Sequence, residues 1–176
     1  DILSVKLNSH YNTKHLISVI YSRKHPFNLN YMSTKSTNEI DIVHASSSKI
    51  DTIDFENLTF GNIFTDHMLI CDFKDGQWEK PIIKPYEPFM IDPSAKVFHY
   101  GQAIFEGMKA YKDQQDDVWL FRPDENFHRF NKSATRMAMP EVPEDVFLGG
   151  LHRLLEIEKE WVKKGKGNTL YIRPFM

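Results

Sequence analysis

The apolar pattern after Pro123 is the feature that most constrains how this chain can fold. Pro123 and the two acidic residues that follow it predict a helix start, because acidic groups favour the positive N-terminal end of a helix. Apolar residues then recur at intervals of three, four and three as far as Pro140: Phe127, Phe130, Ala134 and Met137. A second amphipathic helix is predicted from Pro143 to Gly165 and Gly167. Both helices need a sheet to pack against.

Several segments have the composition of strands that could form this sheet. Residues 68–73 predict a strand, and the Asp-Gly pair that follows suits a tight hairpin turn into Trp78. Residues 107–112 and 118–121 predict a second hairpin around a polar loop. Residues 81–88 contain three prolines, which indicates an extended edge or connecting piece.

The last strand candidate, residues 169–176, has side chains of different character on its two faces. Leu170 and Ile172 share one face, whereas Tyr171 and Arg173 share the other, because side chains alternate along a strand. Strands followed by helices predict an α+β fold in which helices pack on a sheet.

The first 54 residues read differently, with many polar residues and no sustained apolar period, and they predict a disordered leader before a folded domain at 55–176. Four basic residues against Asp1 alone give residues 1–31 a charge of +3, which is the acidic-poor balance of a transit peptide. Alternatively, Met32 opens a polar stretch suited to a natural start, and residues 1–31 are then an over-extended reading frame.

Composition excludes several classes of partner. The 22 Lys and Arg residues face 24 Asp and Glu residues without a long basic block, so no nucleic-acid partner is expected. Cys71 is the single cysteine, which leaves no internal disulfide or zinc site and suits a reducing compartment. No apolar run approaches the ~20 residues of a membrane span. A cytoplasmic protein is expected, or an organellar one if residues 1–31 are a transit peptide.

Four motifs together point to a family, although none of them alone declares a reaction. They are FGNIFTDHM at 60–68, FHYGQAIFEG at 98–107, LFRP at 120–123 and LYIRP at 170–174. In this order and spacing they resemble the branched-chain amino-acid aminotransferases, which are fold-type IV enzymes that use pyridoxal 5'-phosphate. The resemblance runs from about Phe55 to Met176 and covers the small N-terminal domain of that family, a mixed or antiparallel sheet with helices packed on it.

The resemblance implies a role for six residues. Arg122 would contact the cofactor phosphate, and its planar guanidinium can make two charge-assisted hydrogen bonds to a dianion. The substrate pocket would be lined by Phe60, Tyr100, Phe105, Tyr171 and Arg173. Aromatic walls suit branched aliphatic side chains, since each buried methylene contributes ~0.8 kcal/mol. Arg173 and the Tyr100 hydroxyl would donate to the distal carboxylate of glutamate in the other half-reaction.

The resemblance also implies that part of the active site lies outside these 176 residues. Transamination needs a catalytic lysine, which in this family follows the RPF-type strand by some tens of residues and would lie beyond Met176. Lys109 is not used by related enzymes, and strand alternation indicates a surface lysine there. The chain is therefore expected to be a fragment that holds half of a site, has no catalytic residue or metal and is inactive alone.

The expected activity is exchange of the amino group between leucine, isoleucine or valine and 2-oxoglutarate, with small amino and oxo acids as partners. A homodimer is expected for the full-length protein because the family usually forms one. Two alternatives stay open: another fold-type IV enzyme, such as a D-amino-acid aminotransferase or aminodeoxychorismate lyase, or a non-catalytic interaction domain that keeps the fold.

Overall fold

The structure is a computed structural model and describes residues 27–28 and 40–176 of the chain. Its strands are β1 (Phe27–Asn28), β2 (Asp41–Ile42), β3 (His67–Ile70), β4 (Phe73–Lys74), β5 (Gln77–Trp78), β6 (Ile82–Pro85), β7 (Met108–Lys112), β8 (Val118–Leu120) and β9 (Leu170–Ile172). Its α-helices are α1 (Lys96–Tyr100), α2 (Pro123–Arg136) and α3 (Gly150–Ile157). The combination confirms the predicted α+β class.

The largest sheet has four strands in the order β1-β8-β7-β9, and every neighbouring pair in it is antiparallel. Ala110 lies opposite Leu120 on one side and Leu170 on the other, so the predicted hairpin β7–β8 and the last strand share one sheet. Asp113 organises the hairpin loop: one carboxylate oxygen accepts the amides of Gln115 and Asp117, and the other accepts the Trp119 indole N–H at 2.7 Å.

The first predicted hairpin is also confirmed, but it is shorter than expected. Asp75 and Gly76 both have positive φ, 53° and 84°, which is the geometry of a type I′ turn between β4 and β5. The strand predicted at 68–73 is interrupted after Ile70. Residues His67–Ile70 pair instead with β6, in a second sheet of order β2-β6-β3.

The expectation that residues 81–88 form an edge or connecting piece was wrong. Strand β6 lies in the centre of its sheet, parallel to β2 and antiparallel to β3, and Ile83 has no exposed surface. Prolines are tolerated here because Pro81 precedes the strand and Pro85 ends it. The residues between them keep their amide donors for the neighbouring strands.

The prediction of a leader running to residue 54 differs from the structure over residues 40–54. The Asp41 amide donates to the Pro81 carbonyl at 3.1 Å, and the Val43 amide donates to Ile83 at 2.8 Å. A two-residue strand has too few side chains to show a period, and its pairing partner lies some 40 residues away. The remaining leader and transit-peptide predictions, for residues 1–39, lie outside the described residues apart from the backbone of β1.

The main core lies between the four-stranded sheet and the helices that follow it. Predicted apolar positions such as Phe130 and Ala134 on α2 and Leu151 and Leu155 on α3 are buried against the sheet residues Met108, Ala110, Val118 and Leu120. The second predicted helix is less regular than expected, since a π-helical turn at Asp145–Gly149 leads into α3 and a 3-10 turn at Lys159–Trp161 follows it. Among the described residues, no helix is long and apolar enough to span a membrane.

Candidate active site

The pairing of β7 with β9 continues past both strands and places three of the predicted site residues on one face. Lys109 lies opposite Tyr171, and an isolated bridge joins Phe105 to Phe175. The amide of Glu106 donates to the Pro174 carbonyl at 2.8 Å. This register puts the side chains of Phe105, Tyr171 and Arg173 on the face opposite the core.

Arg173 lies at the centre of this face. Its guanidinium carbon is 4.4 Å from the centre of the Phe105 ring and 5.1 Å from that of Tyr171. Its Nε and Nη2 atoms donate to the Tyr171 hydroxyl oxygen at 3.0 and 2.7 Å. The Phe60 ring packs edge-on against Tyr171, with centroids 5.0 Å apart. The structure thus brings together four of the five predicted pocket residues, which we call the arginine cluster: Phe60, Phe105, Tyr171 and Arg173.

Gly107 allows this cluster to lie close to the backbone. A Cβ atom at Gly107 would be only 2.5 Å from the Tyr171 hydroxyl oxygen. Any side chain there would overlap the Tyr171 hydroxyl. Because the ring is rigid, the whole Tyr171 side chain would have to shift, and its hydroxyl would move away from Arg173. Gly107 was not among the predicted site residues. Its signal was its place in the FEG motif, directly after Phe105.

Tyr100, the fifth predicted pocket residue, is not part of the cluster. It ends the short helix α1, its surface is 81% exposed, and the described ring contact is with His99 at 6.4 Å. Gly101 follows in the left-handed region, with φ 62°, and turns the chain towards Phe105. Its role as a pocket residue therefore stays a prediction.

Arg122 stands directly before helix α2 and is also separate from the arginine cluster in the contacts of the described residues. Its backbone is left-handed, with φ 49° and ψ 53°, which is strained for a residue that has a Cβ. Its side chain is 58% exposed and forms an ion pair with Glu125 at 2.9 Å. Because an exposed ion pair contributes little stability, a stronger anion could displace Glu125.

A buried carboxylate that sequence reasoning missed lies between Phe105 and Gly107. Glu106 points to the core face, where Arg129 Nε and Nη2 donate to its two oxygens at 2.6 Å each. Asn126 Nδ2 donates to it at 2.8 Å. Burial raises the pKa of Glu106, but these hydrogen bonds outweigh burial and hold the pKa below its usual value. A lone acid in an otherwise apolar strand pattern was the signal.

A second buried carboxylate lies at the other sheet. Glu158 accepts a hydrogen bond from His67 Nδ1, and His67 Nε2 accepts the Ala45 amide at 2.9 Å. Because Nε2 accepts, the ring proton must be on Nδ1. Burial raises the pKa of Glu158 and outweighs its hydrogen bond with His67. This pair ties the FTDHM motif to the segment after α3.

Lys109, which the sequence indicated as a surface lysine, lies on the same face as the arginine cluster. It stands opposite Tyr171 and is half-buried, so it is less exposed than expected. Strand alternation predicted that Lys109 lies off the core face, but it did not predict the partial burial.

No family model matches this chain, but comparison with curated proteins finds aminotransferases. Branched-chain-amino-acid transaminase 1 of Bacillus subtilis is 52% identical over 124 residues, which are 70% of this chain and 35% of that protein. Branched-chain-amino-acid aminotransferase 2 of the same organism is 43% identical over 144 residues, or 81% and 39%. A branched-chain-amino-acid aminotransferase of Mycolicibacterium smegmatis is 44% identical over 122 residues, or 68% and 33%.

The sequence identities of 43–52% show that this α+β domain is homologous to aminotransferases. More narrowly, the chain is a relative of the branched-chain amino-acid aminotransferases, which confirms the resemblance that the motifs indicated. It spans about a third of the length of these relatives. The match over 81% of the chain is longer than residues 55–176, so similarity reaches into residues that were predicted to be a leader.

Proposed function

We propose that this chain is part of a branched-chain amino-acid aminotransferase that exchanges the amino group between leucine, isoleucine or valine and 2-oxoglutarate. The arginine cluster carries the proposal. It presents aromatic walls, which suit an aliphatic side chain, beside a guanidinium, which suits the distal carboxylate of glutamate. The relatives' names support the same reading.

Arg173 is suited to binding a carboxylate that is present in only one of the two half-reactions. Its two hydrogen bonds to Tyr171 and its stacking on Phe105 occupy the guanidinium when no dicarboxylate is bound. A cation left without partners in a closed pocket would be costly. With these partners, the same pocket can accept the aliphatic side chain of leucine.

Pyridoxal 5'-phosphate is the proposed cofactor, and Arg122 fits the part of its phosphate ligand. The guanidinium is exposed, has only a surface ion pair to exchange, and lies at the positive end of the 14-residue helix α2. When bound, the cofactor supplies the electron sink that transamination needs. Tyr100 is proposed as a further pocket residue, as its motif implies.

We place the catalytic lysine outside the described chain, beyond Met176. The chain spans about a third of its relatives' length, which leaves ample sequence for it. Lys109 is a poor alternative, because the enzymes that the motifs resemble do not use this position. The carboxylate that pairs with the pyridine nitrogen is proposed to lie in the same missing part.

We also propose a homodimer, as is usual in the family, and a cytoplasmic location. The Cys71 thiol donates to the Glu79 carbonyl, and burial, together with the nearby carboxylates, raises its pKa to about 11. Such a thiol is unreactive. A free cysteine without a partner thiol suits a reducing compartment.

One assay separates the proposed activity from the alternatives of a D-amino-acid aminotransferase, an aminodeoxychorismate lyase or a non-catalytic domain. The protein expressed from its full coding sequence is mixed with pyridoxal phosphate and 2-oxoglutarate, and oxo-acid formation is followed with L-leucine and with D-alanine. We expect turnover with L-leucine alone. Turnover with D-alanine alone, or with neither amino acid, would remove the proposal.

Two variants connect the assay to the structure. Arg173→Ala should raise KM for glutamate much more than KM for leucine, because only glutamate carries the distal carboxylate. Arg173→Lys keeps the charge without the planar fork. Its KM for glutamate should therefore lie between the values of the unmodified protein and of Arg173→Ala. The 176-residue chain alone, given cofactor and leucine, should form no oxo acid. Stoichiometric conversion by that chain would show that the catalytic lysine lies within it.

A further inference from the structure

Glu106 is the strongest candidate for a role beyond the proposed pocket. We propose that it is a positioning residue, whose buried carboxylate holds the Phe105–Gly107 segment against helix α2 and thereby sets the place of the arginine cluster relative to Arg122. The inference rests on the proposed function, because it assumes that substrate binds at the cluster and cofactor phosphate at Arg122.

The Phe105–Gly107 segment presents alternate side chains to the two faces of the sheet. Phe105 and Gly107 lie on the face that carries the arginine cluster, and Glu106 between them faces the core. A shift of the backbone at Glu106 would move its neighbours on the other face as well, because the three residues share one backbone. The stacking of Phe105 on Arg173 at 4.4 Å therefore depends on where Glu106 is anchored.

Two side chains of helix α2 hold the Glu106 carboxylate. Asn126 and Arg129 are the fourth and seventh residues of α2, one turn apart on the same side of the helix. Arg129 makes a forked contact with both oxygens of Glu106, and Asn126 Nδ2 donates to the carboxylate and also lies 3.4 Å from the Gly107 carbonyl oxygen. Together they fix Glu106 in direction as well as in distance.

Helix α2 connects the side chains that bind Glu106 to Arg122. Arg122 is the residue from which α2 begins, so the same rigid helix carries the proposed phosphate ligand and the two side chains that bind Glu106. The arginine cluster and Arg122 share no direct contact among the described residues. The bonds of Glu106 to α2 are therefore a direct path by which the substrate end can be held at a fixed distance from the cofactor end.

The chemistry of the pair argues for positioning rather than for stability alone. A charge pair that includes a buried carboxylate contributes little net stability, because the carboxylate loses its hydration. Its forked geometry, however, allows one arrangement, whereas apolar packing tolerates small slides. Arg129 is 63% exposed along its side chain and reaches inward from the surface to make this contact.

The test uses the protein expressed from its full coding sequence and three variants. Glu106→Gln removes the charge with little change of shape, and Arg129→Lys keeps the charge but loses the fork. Asn131→Ala is the matched control: it lies on the same helix and also loses two hydrogen bonds, those to the backbone of Val142. Readouts are the affinity for glutarate by calorimetry, the ratio of KM for glutamate to KM for leucine, and the midpoint of thermal unfolding.

We expect Glu106→Gln to weaken glutarate binding and to raise the KM ratio by about tenfold, since misplacement of a binding group by about 1 Å can cost up to a hundredfold. Arg129→Lys should show a smaller change in the same direction. Asn131→Ala should lower the unfolding midpoint while leaving the KM ratio and the glutarate affinity unchanged.

If Glu106→Gln and Arg129→Lys only lower the unfolding midpoint, as Asn131→Ala does, the inference is overturned and Glu106 is merely structural. If Glu106→Gln does not fold, the KM ratio and glutarate affinity of Arg129→Lys decide the question. If the unmodified protein does not transaminate leucine, the proposed function has failed instead.

Discussion

The two faces of the β7–β9 strand pair carry opposite kinds of side chain, although the residues alternate along the same backbone. On the core face, Met108 and Ala110 are buried beneath α2 and α3. On the other face, Phe105 is largely exposed, and an exposed Arg173 contacts the half-buried Tyr171. The first face buries apolar surface, whereas the second leaves aromatic surface and a cation available.

The contrast between the buried face and the exposed face predicts which substitutions should affect folding and which should affect binding. Burial of apolar side chains is the main stabilising term in folding, so the core face should dominate stability. Exposed aromatic residues around an arginine contribute little to the fold but are enriched at binding sites. Glu106 is the exception, since it lies on the core face but is proposed to act on the other.

The largest expected effect is a loss of stability on the core face. Leu120→Ala should lower the free energy of unfolding by about 2–5 kcal/mol, because it removes a buried side chain and leaves a cavity. Phe105→Ala on the exposed face should cost under about 1 kcal/mol, the value of one exposed cation–π contact. Urea unfolding of both variants measures this. Equal losses would contradict the distinction between the two faces.

The next largest effect should fall on cofactor binding. Arg122→Ala should weaken the affinity for pyridoxal phosphate by about 1.5–3 kcal/mol, roughly 10- to 150-fold, the value of a charge-assisted hydrogen bond. Lys132→Ala, an exposed lysine on the same helix, is a cleaner control than Lys109, which lies on the site face. Equilibrium dialysis measures both affinities. The same affinity for the two variants would remove Arg122 from the site.

A smaller effect should follow from closing the space at Gly107. Gly107→Ala should cost roughly 1–3 kcal/mol, because the new Cβ would overlap the Tyr171 hydroxyl. Tyr171→Phe removes that hydroxyl, so the double variant should lose less than the sum of the two single variants. Chemical unfolding and glutarate affinity test this. Additive losses would show that Gly107 and Tyr171 act independently.

The smallest effect should appear in the pH dependence of stability, where the two buried glutamates act in opposite directions. The pKa of Glu106 is lowered, so its contribution is present above the ordinary value of 4.5 and is lost as the pH falls through the folded pKa. The pKa of Glu158 is raised, so its cost is present above the folded pKa and is relieved as the pH falls towards 4.5.

Urea unfolding of the two variants is measured between about pH 3 and 7, which brackets ordinary carboxyl pKa values of about 4. The pH dependence of the free energy of unfolding should change in opposite directions in the two variants. Glu106→Gln should make stability fall less on acidification, and Glu158→Gln should make it fall more. Glu160→Gln, whose side chain is 80% exposed, is the control for the removal of one carboxylate. Parallel curves for the two buried variants would show that one of the two pKa directions is wrong.

Much of the fold was predictable because the relevant patterns are local. The Asp75-Gly76 turn, the 107–121 hairpin and the apolar stripe of α2 each depend on residues within about 15 positions of one another. The central place of β6 was not predictable, since its prolines suggested an edge and its partner β2 has only two residues. For the site, the motifs and the alternation predicted the common face of Tyr171 and Arg173 but missed Gly107.

By itself, then, the sequence determined the α+β class, the similarity to branched-chain aminotransferases and the faces that side chains occupy on strands such as β7 and β9, because these follow from motifs and patterns that are local in the chain. The tertiary structure alone decided which residues meet across it. Phe105 stacks on Arg173 from 68 positions away, and Arg129 reaches Glu106 from 23. Such contacts depend on how the sheet and helix are packed in space, and no period in the sequence records that packing.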